Sequence, residues 1–258
     1  MMNSNMVSTN DEKLIKNLSN YFLKGFALAN QNLDIYFIGV GLTFIGFIAN
    51  LFASSPIGFL SRITWFILLF LNLGFSLSIP LLLSLKQQSG HLNFQTARTI
   101  IFQNTKRIFL PGIYLMILFA ILYVVFLGWL LSSFTQPHET ISSVSSISQQ
   151  FLKNWSPYFM LWCVFFAFFT FSPIYFSLEN NGVLDSIKKS VLLSFKHLPY
   201  ILMLSIVFFI NYSIISLISN LIQNPFGQIL VLFISQFATL LVSATTLIYY
   251  QNNHSNTV

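Results

Sequence analysis

Charge is the property this chain has least of. Only 7% of its 258 residues are Asp, Glu, Lys or Arg, against about 25% in a soluble domain. So few charges cannot cover a water-facing surface, so lipid must solvate much of the molecule. Cysteine is almost absent. The single Cys163 excludes an intrachain disulfide framework and reads as a small packing residue inside an apolar run. The start "MMNSNMVSTNDEKLIK" lacks the positive stretch and apolar core of a cleaved signal peptide, so the apolar segments themselves are expected to do the targeting. Nothing alternates in the manner of outer-membrane strands.

Reactive constellations are missing too. There is no HExxH, Walker loop or GxSxG. His91, His138, His197 and His254 are widely separated, and all four fall outside the expected hydrocarbon segments. Asp11, Glu12, Asp34, Glu139, Glu179 and Asp185 fall at helix starts, turns or loops, which gives every acid a structural role. The net charge of +6 is spread as ones, twos and threes beside apolar runs, with no basic tail, which argues against nucleic acid as a partner. The expectation is a protein that is not an enzyme, with no catalytic residues, metal ligands or cofactor.

What the sequence does have is apolar length. It is 55% hydrophobic with 30 phenylalanines, and its mean hydropathy is +0.73. A spanning helix needs about 20 mostly apolar residues. Six segments qualify: Ile35 to Ala53, Ile63 to Leu85, Leu110 to Phe134, Pro157 to Leu178, Leu198 to Ile222 and Phe226 to Tyr250. Pro111, Pro157, Pro199 and Pro225 lie at or near the expected first turns, where a missing N–H is harmless. Ser156 and Asn224 are expected N-caps. Pro80 and Pro173 fall inside spans and are expected to kink them.

The connections carry amphipathic stretches. Asn10 to Phe26 places Leu14, Ile15, Leu18, Tyr21, Phe22 and Phe26 near one face. The segment 93–109 does so with Phe94, Ala97, Ile101 and Ile108, and 183–197 with Leu184, Ile187, Val191 and Phe195. Each is expected to lie in the membrane interface and to precede a pair of spans. The predicted fold is therefore all-α integral membrane, with six transmembrane helices in three units of cytoplasmic interfacial helix plus transmembrane hairpin. It forms one domain over 10–250, between loose tails at 1–9 and 251–258. Basic residues recur eight apart at Lys16 and Lys24, Arg98 and Lys106, and Lys188 and Lys196. "PLLLSL" from Pro80 matches "PIYFSL" from Pro173, and both likenesses favour repetition. The Ser-rich "TQPHETISSVSSISQQFLKNW" reads as a short surface helix.

Several polar residues are candidate functional groups. Asn72, Asn211 and Gln236 fall near the middles of three spans, where an amide must face protein; interhelical hydrogen bonding and a polar path are both open readings. Lys16, Lys24, Arg98, Lys106, Arg107, Lys188, Lys189 and Lys196 are candidate contacts for anionic lipid headgroups. "GVGLTFIG" is read as helix packing rather than a phosphate loop.

One stretch resembles a known family. "FSPIYFSLENNGVLDSIKKSVLLSFKHLPYILML" joins a proline-containing span (Pro173), the turn Glu179-Asn180-Asn181-Gly182 and the basic core Lys188-Lys189-Ser190. It is similar to a bacterial six-span family that includes the membrane domain fused to some glycerophosphoryl diester phosphodiesterases and stand-alone YciC-like proteins. The resemblance is strongest over Pro157 to Tyr250. It implies a multi-pass domain of the bacterial cytoplasmic (inner) membrane and no catalysis, since in the fused proteins a separate soluble barrel does the hydrolysis. The expected function is a non-enzymatic, phospholipid-contacting or envelope-supporting protein; the alternative is a small transporter or permease component. Partners are the bilayer, anionic phospholipids, and a homo-oligomer or membrane complex.

Orientation follows from the cations. Lys13, Lys16, Lys24, Lys86, Arg98, Lys106, Arg107, Lys188, Lys189 and Lys196 fall on one expected side, and only Arg62 and Lys153 on the other. Both termini are thus expected in the cytoplasm. Alkaline phosphatase fused after Lys188 should be inactive, and activity there would overturn the orientation.

Overall fold

The computed structural model describes residues 4–51, 58–134, 163–221 and 225–254. Its described residues are helical, without strands, in the order α1 (Ser4–Gln31), α2 (Leu33–Leu51), α3 (Gly58–Ser89), α4 (Phe94–Phe134), α5 (Ser172–Ser177), α6 (Val183–Lys196), α7 (Leu198–Leu221) and α8 (Pro225–His254). Helical residues 163–167 precede α5. By length and apolarity α3, α7 and α8 each could cross a membrane, and the bent pair α1–α2 could form a fourth crossing. The Ser-rich loop, Ser156, Pro157 and Asn224 lie outside the described residues.

The packing centres on α3 and α8. Helix α3 touches α2, α4, α5 and α8, while α8 also touches α1, α2 and α7. One buried cluster joins Leu28 and Ile35 to Phe75, Ile79 and Leu82 of α3 and to Leu240 and Leu247 of α8. A second joins Phe171 and Ile174 to Tyr200 and Leu204 of α7 and to Tyr249 of α8. Two glycines permit the closest approaches. A β-carbon on Gly25 would fall 2.1 Å from Thr245 Oγ1, and one on Gly74 would fall 2.0 Å from Thr105 Oγ1. Of the glycines in "GVGLTFIG", Gly39 is packed against Phe75 and Gln236, whereas Gly41 and Gly46 meet open space.

Several boundaries differ from the sequence expectation. Helix α1 starts at Ser4 and α8 runs to His254, so the expected tails at 1–9 and 251–258 are partly helical. Between α1 and α2 the axis bends by 73° at Asn32, whose side-chain amide donates to Leu28 O at 2.5 Å. The second interfacial segment and the third span are one uninterrupted 41-residue helix, α4, with Pro111 in its interior. Proline at that point removes a single bond, to the Arg107 carbonyl, and no glycine or turn residue precedes it to end the helix. Pro80 likewise sits within continuous α3.

Pro173 does more than kink its span. The helix that includes Cys163 opens into turns at 168–171 and restarts as α5, with the proline in its first turn. The N–H of Ser172, which would serve the Phe168 carbonyl in an α-helix, donates to Phe169 O at 2.9 Å instead. The freed Phe168 carbonyl accepts two hydroxyls from α6, Ser190 at 2.7 Å and Ser194 at 3.0 Å. That contact decides how α6 lies. Its buried residues are Ser186, Ser190, Leu193 and Ser194, while Leu184, Leu192 and Phe195 are exposed. The helix docks by a serine face and turns much of its apolar face outward, the reverse of a helix on a water-soluble core.

Replacing both serines (S190V together with S194V) strands the half-buried Phe168 carbonyl, at a cost of about 1–3 kcal/mol. The thermal midpoint in detergent should fall by roughly 2–8 °C for a chain of this size. Either single change leaves one donor and should shift it much less; two equal, additive losses would contradict the shared carbonyl.

Candidate functional site

The turn after α5 organises one end of the molecule. Asn180 takes a left-handed φ of 56°, which asparagine tolerates better than most residues. Gly182, the last residue of the expected turn, is extended at φ −65° and ψ 163° and caps α6. Asn181 donates its main-chain and side-chain N–H groups to Tyr175 O, each at 3.1 Å. Glu179 collects three donors. Its carboxylate accepts from the Tyr250 hydroxyl of α8, from Lys189 Nζ at 3.2 Å and from Asn181 Nδ2 at 3.0 Å. Burial raises the Glu179 carboxyl, but the hydrogen bonds from Tyr250, Lys189 and Asn181 outweigh it and leave the group below its usual range.

Arg107 of α4 reaches the same turn. Its guanidinium donates to Asn181 O at 2.7 Å and to Asn104 Oδ1 at 3.2 Å, and it lies 4.2 Å over the Phe176 ring. Burial lowers its pKa from the usual arginine value. Asn104 in turn donates to Ser78 Oγ of α3 at 2.8 Å. A polar chain therefore runs from α3 through α4 to the turn and on to α6 and α8. Lys86 pairs with Asp34 at 2.6 Å, tying the end of α3 to the start of α2.

These contacts divide the eight candidate headgroup cations. Arg107 and Lys189 are engaged by protein. Lys24, Arg98, Lys106, Lys188 and Lys196 are exposed, and the Lys16 side chain lies outside the described residues. Four of the exposed cations fall into two similar ridges. Along α4 the residues Phe94, Arg98, Phe102 and Lys106 follow at steps of four, and along α6 so do Leu184, Lys188, Leu192 and Lys196. Residues four apart share a helix face. All eight are exposed, with Phe94 at 68%, Phe102 at 53%, Leu184 at 70% and Leu192 at 56%. Each ridge alternates a large apolar group with a cation.

The three candidate amides separate into two places. Asn72 and Gln236 converge on Thr43, which sequence reasoning had not singled out. The Thr43 hydroxyl donates to Gly39 O at 2.9 Å and accepts from Asn72 Nδ2 at 3.3 Å and Gln236 Nε2 at 2.6 Å. Its single hydrogen and two lone pairs are thereby all used. Asn211 is elsewhere, at a cavity of about 470 Å³ beside the 168–171 break. Also unforeseen is an aromatic stack at the α6–α7 junction. Tyr200 and Tyr249 lie face to face, 3.9 Å between centroids, and the Tyr249 hydroxyl hydrogen-bonds His197 Nδ1 at 2.8 Å. The one usable signal was serine at 186, 190 and 194, polar residues one turn apart along one face of α6.

Comparison with protein-family models returns no match, and comparisons with curated proteins and with solved structures return none either.

Because folding holds the Glu179 carboxyl below its usual value of 4.5, its stabilising contribution is present above that pH and is lost as pH falls through the lowered value. An E179Q variant should melt below wild type at neutral pH, with the gap closing as the medium is acidified below the usual carboxylate value of 4.5. A gap that stays constant across that range would refute the linkage.

Proposed function

We propose that this chain is a non-enzymatic, multi-pass protein of a bacterial cytoplasmic membrane whose cytoplasmic helices contact anionic phospholipid. The observation that carries the reading is the pair of exposed ridges on α4 and α6, each alternating apolar and basic side chains at four-residue steps. At a lipid–water interface the Phe and Leu side chains enter the acyl boundary while Arg and Lys extend to the phosphates. Each cation near an anionic surface contributes about 1 kcal/mol, so the four together supply roughly 4 kcal/mol. The outward apolar face of α6 supports the same reading, because a helix bathed in water would bury Leu184 and Leu192 rather than Ser190. The likeness of the Pro173 to Ser190 pattern to the six-span phosphodiesterase-associated family points to the same surroundings.

A small transporter or permease component is the alternative, and it draws on the intramembrane amides. Two of those three, Asn72 and Gln236, are joined through Thr43, which supports a packing role for that pair.

Purified wild-type protein should retain phosphatidylglycerol and cardiolipin over phosphatidylethanolamine when co-purified lipids are weighed by mass spectrometry. The variant R98Q/K106Q/K188Q/K196Q should lose most of that preference, by about threefold or more, if four headgroup contacts are removed. Equal retention of neutral and anionic lipid by the wild type would sink the proposal.

A further inference from the structure

The broken helix before α5 has a second consequence, on its membrane-facing side. The 470 Å³ cavity is walled by the break itself, by Pro80 of α3, and by α7 and α8. That volume is in the range of small-molecule sites. Phe166 and Tyr212, both among its lining residues, are exposed, so the cavity is open on the face between the broken helix and α7. None of its lining residues among the described residues is Asp, Glu, Lys, Arg or His.

Its polar groups are uneven. The hydroxyls of Thr170, Thr239 and Thr246 donate to carbonyls of their own helices, at 2.7, 2.9 and 2.7 Å. The Asn211 amide and the Ser243 hydroxyl have no such bond among the described residues. The break adds an acceptor. Position 173 is proline, and the Ile174 N–H, which would serve the Thr170 carbonyl in an α-helix, donates to Phe171 O at 3.1 Å. The Thr170 carbonyl is left without a backbone donor among the described residues. Within hydrocarbon such groups are costly unless something satisfies them.

We infer that this cavity binds an uncharged lipid bearing a free hydroxyl, of the diacylglycerol or monoacylglycerol class. A hydroxyl can donate to the Thr170 carbonyl and accept from Asn211 or Ser243, while the acyl chain lies along Phe166, Phe169 and Phe208. A phosphate or carboxylate would enter without a counter-charge, which desolvation forbids. The site shares no residue with the basic ridges, so either assignment stands or falls without the other.

The test is photolabelling of the full chain in nanodiscs with a diazirine-bearing diacylglycerol, followed by peptide mapping. Labelling should concentrate on peptides containing Phe208 to Tyr212 and Thr239 to Thr246. Unlabelled diacylglycerol should compete it away and phosphatidic acid should not. N211L, which removes the amide at similar size, and S243F, which fills the space, should each reduce labelling at these peptides by about fivefold or more, a loss consistent with removing one hydrogen bond or the cavity itself. Both variants are read only as monodisperse, helical protein. If neither folds, the competition pattern in the wild type decides. Labelling spread evenly over the exposed apolar faces, or equal competition by phosphatidic acid, would overturn the inference.

Discussion

The Phe168 carbonyl and the two serines that cap it set the arrangement of the C-terminal half. An unpaired peptide group in hydrocarbon is among the most expensive defects a membrane protein can carry. Pro173 cannot continue the helix before it, so the chain opens at 168–171 and frees that carbonyl. Ser190 and Ser194, one turn apart on α6, both answer it. Once they do, the serine face of α6 is inward and the Leu184, Leu192 and Phe195 side is outward. The same placement brings Lys189 onto Glu179 and sets α6 against the turn that Arg107 reaches from α4. One broken hydrogen bond thus fixes which residues of the basic segment hold the protein together and which face its surroundings.

That division separates neighbouring lysines. Lys188 and Lys189 are adjacent in sequence but 100° apart around a helix. Lys189 lies against Glu179 and Asn181, and Lys188 stands on the exposed ridge with Leu184 and Leu192. On α4 the same rule separates Lys106, exposed, from Arg107, whose guanidinium lies over Phe176 and bonds the turn. Each basic pair divides its labour between internal structure and the surface. The cavity is the other product of the break, because the same break that frees Phe168 O also turns the Ile174 N–H away from Thr170 O to Phe171 O.

The sequence made the helical class, the apolar segments that could span a membrane and several helix positions legible, because apolar length, proline placement and scarce charge are local properties. The bounds of α6, α7 and the start of α8 fall within a residue or two of expectation. Pro111 was misleading, since a proline inside a helix and one at its start look alike when the preceding residues are equally helix-prone; α4 runs through it. The convergence of Asn72 and Gln236 was not legible either. Their shared partner Thr43 lies in a third helix, and no spacing rule links three segments.

What the sequence by itself determined is the helical class and the apolar segments: so little charge and so much apolar length make helices that could cross a membrane. What only the tertiary structure decided is the partner of each polar group. Hydrophobic length is additive along the chain, whereas a hydrogen bond depends on two groups meeting in space. Serine at 190, asparagine at 104 and threonine at 43 acquired their meaning from a carbonyl, a hydroxyl and amides that lie far from them in sequence or across a helix interface.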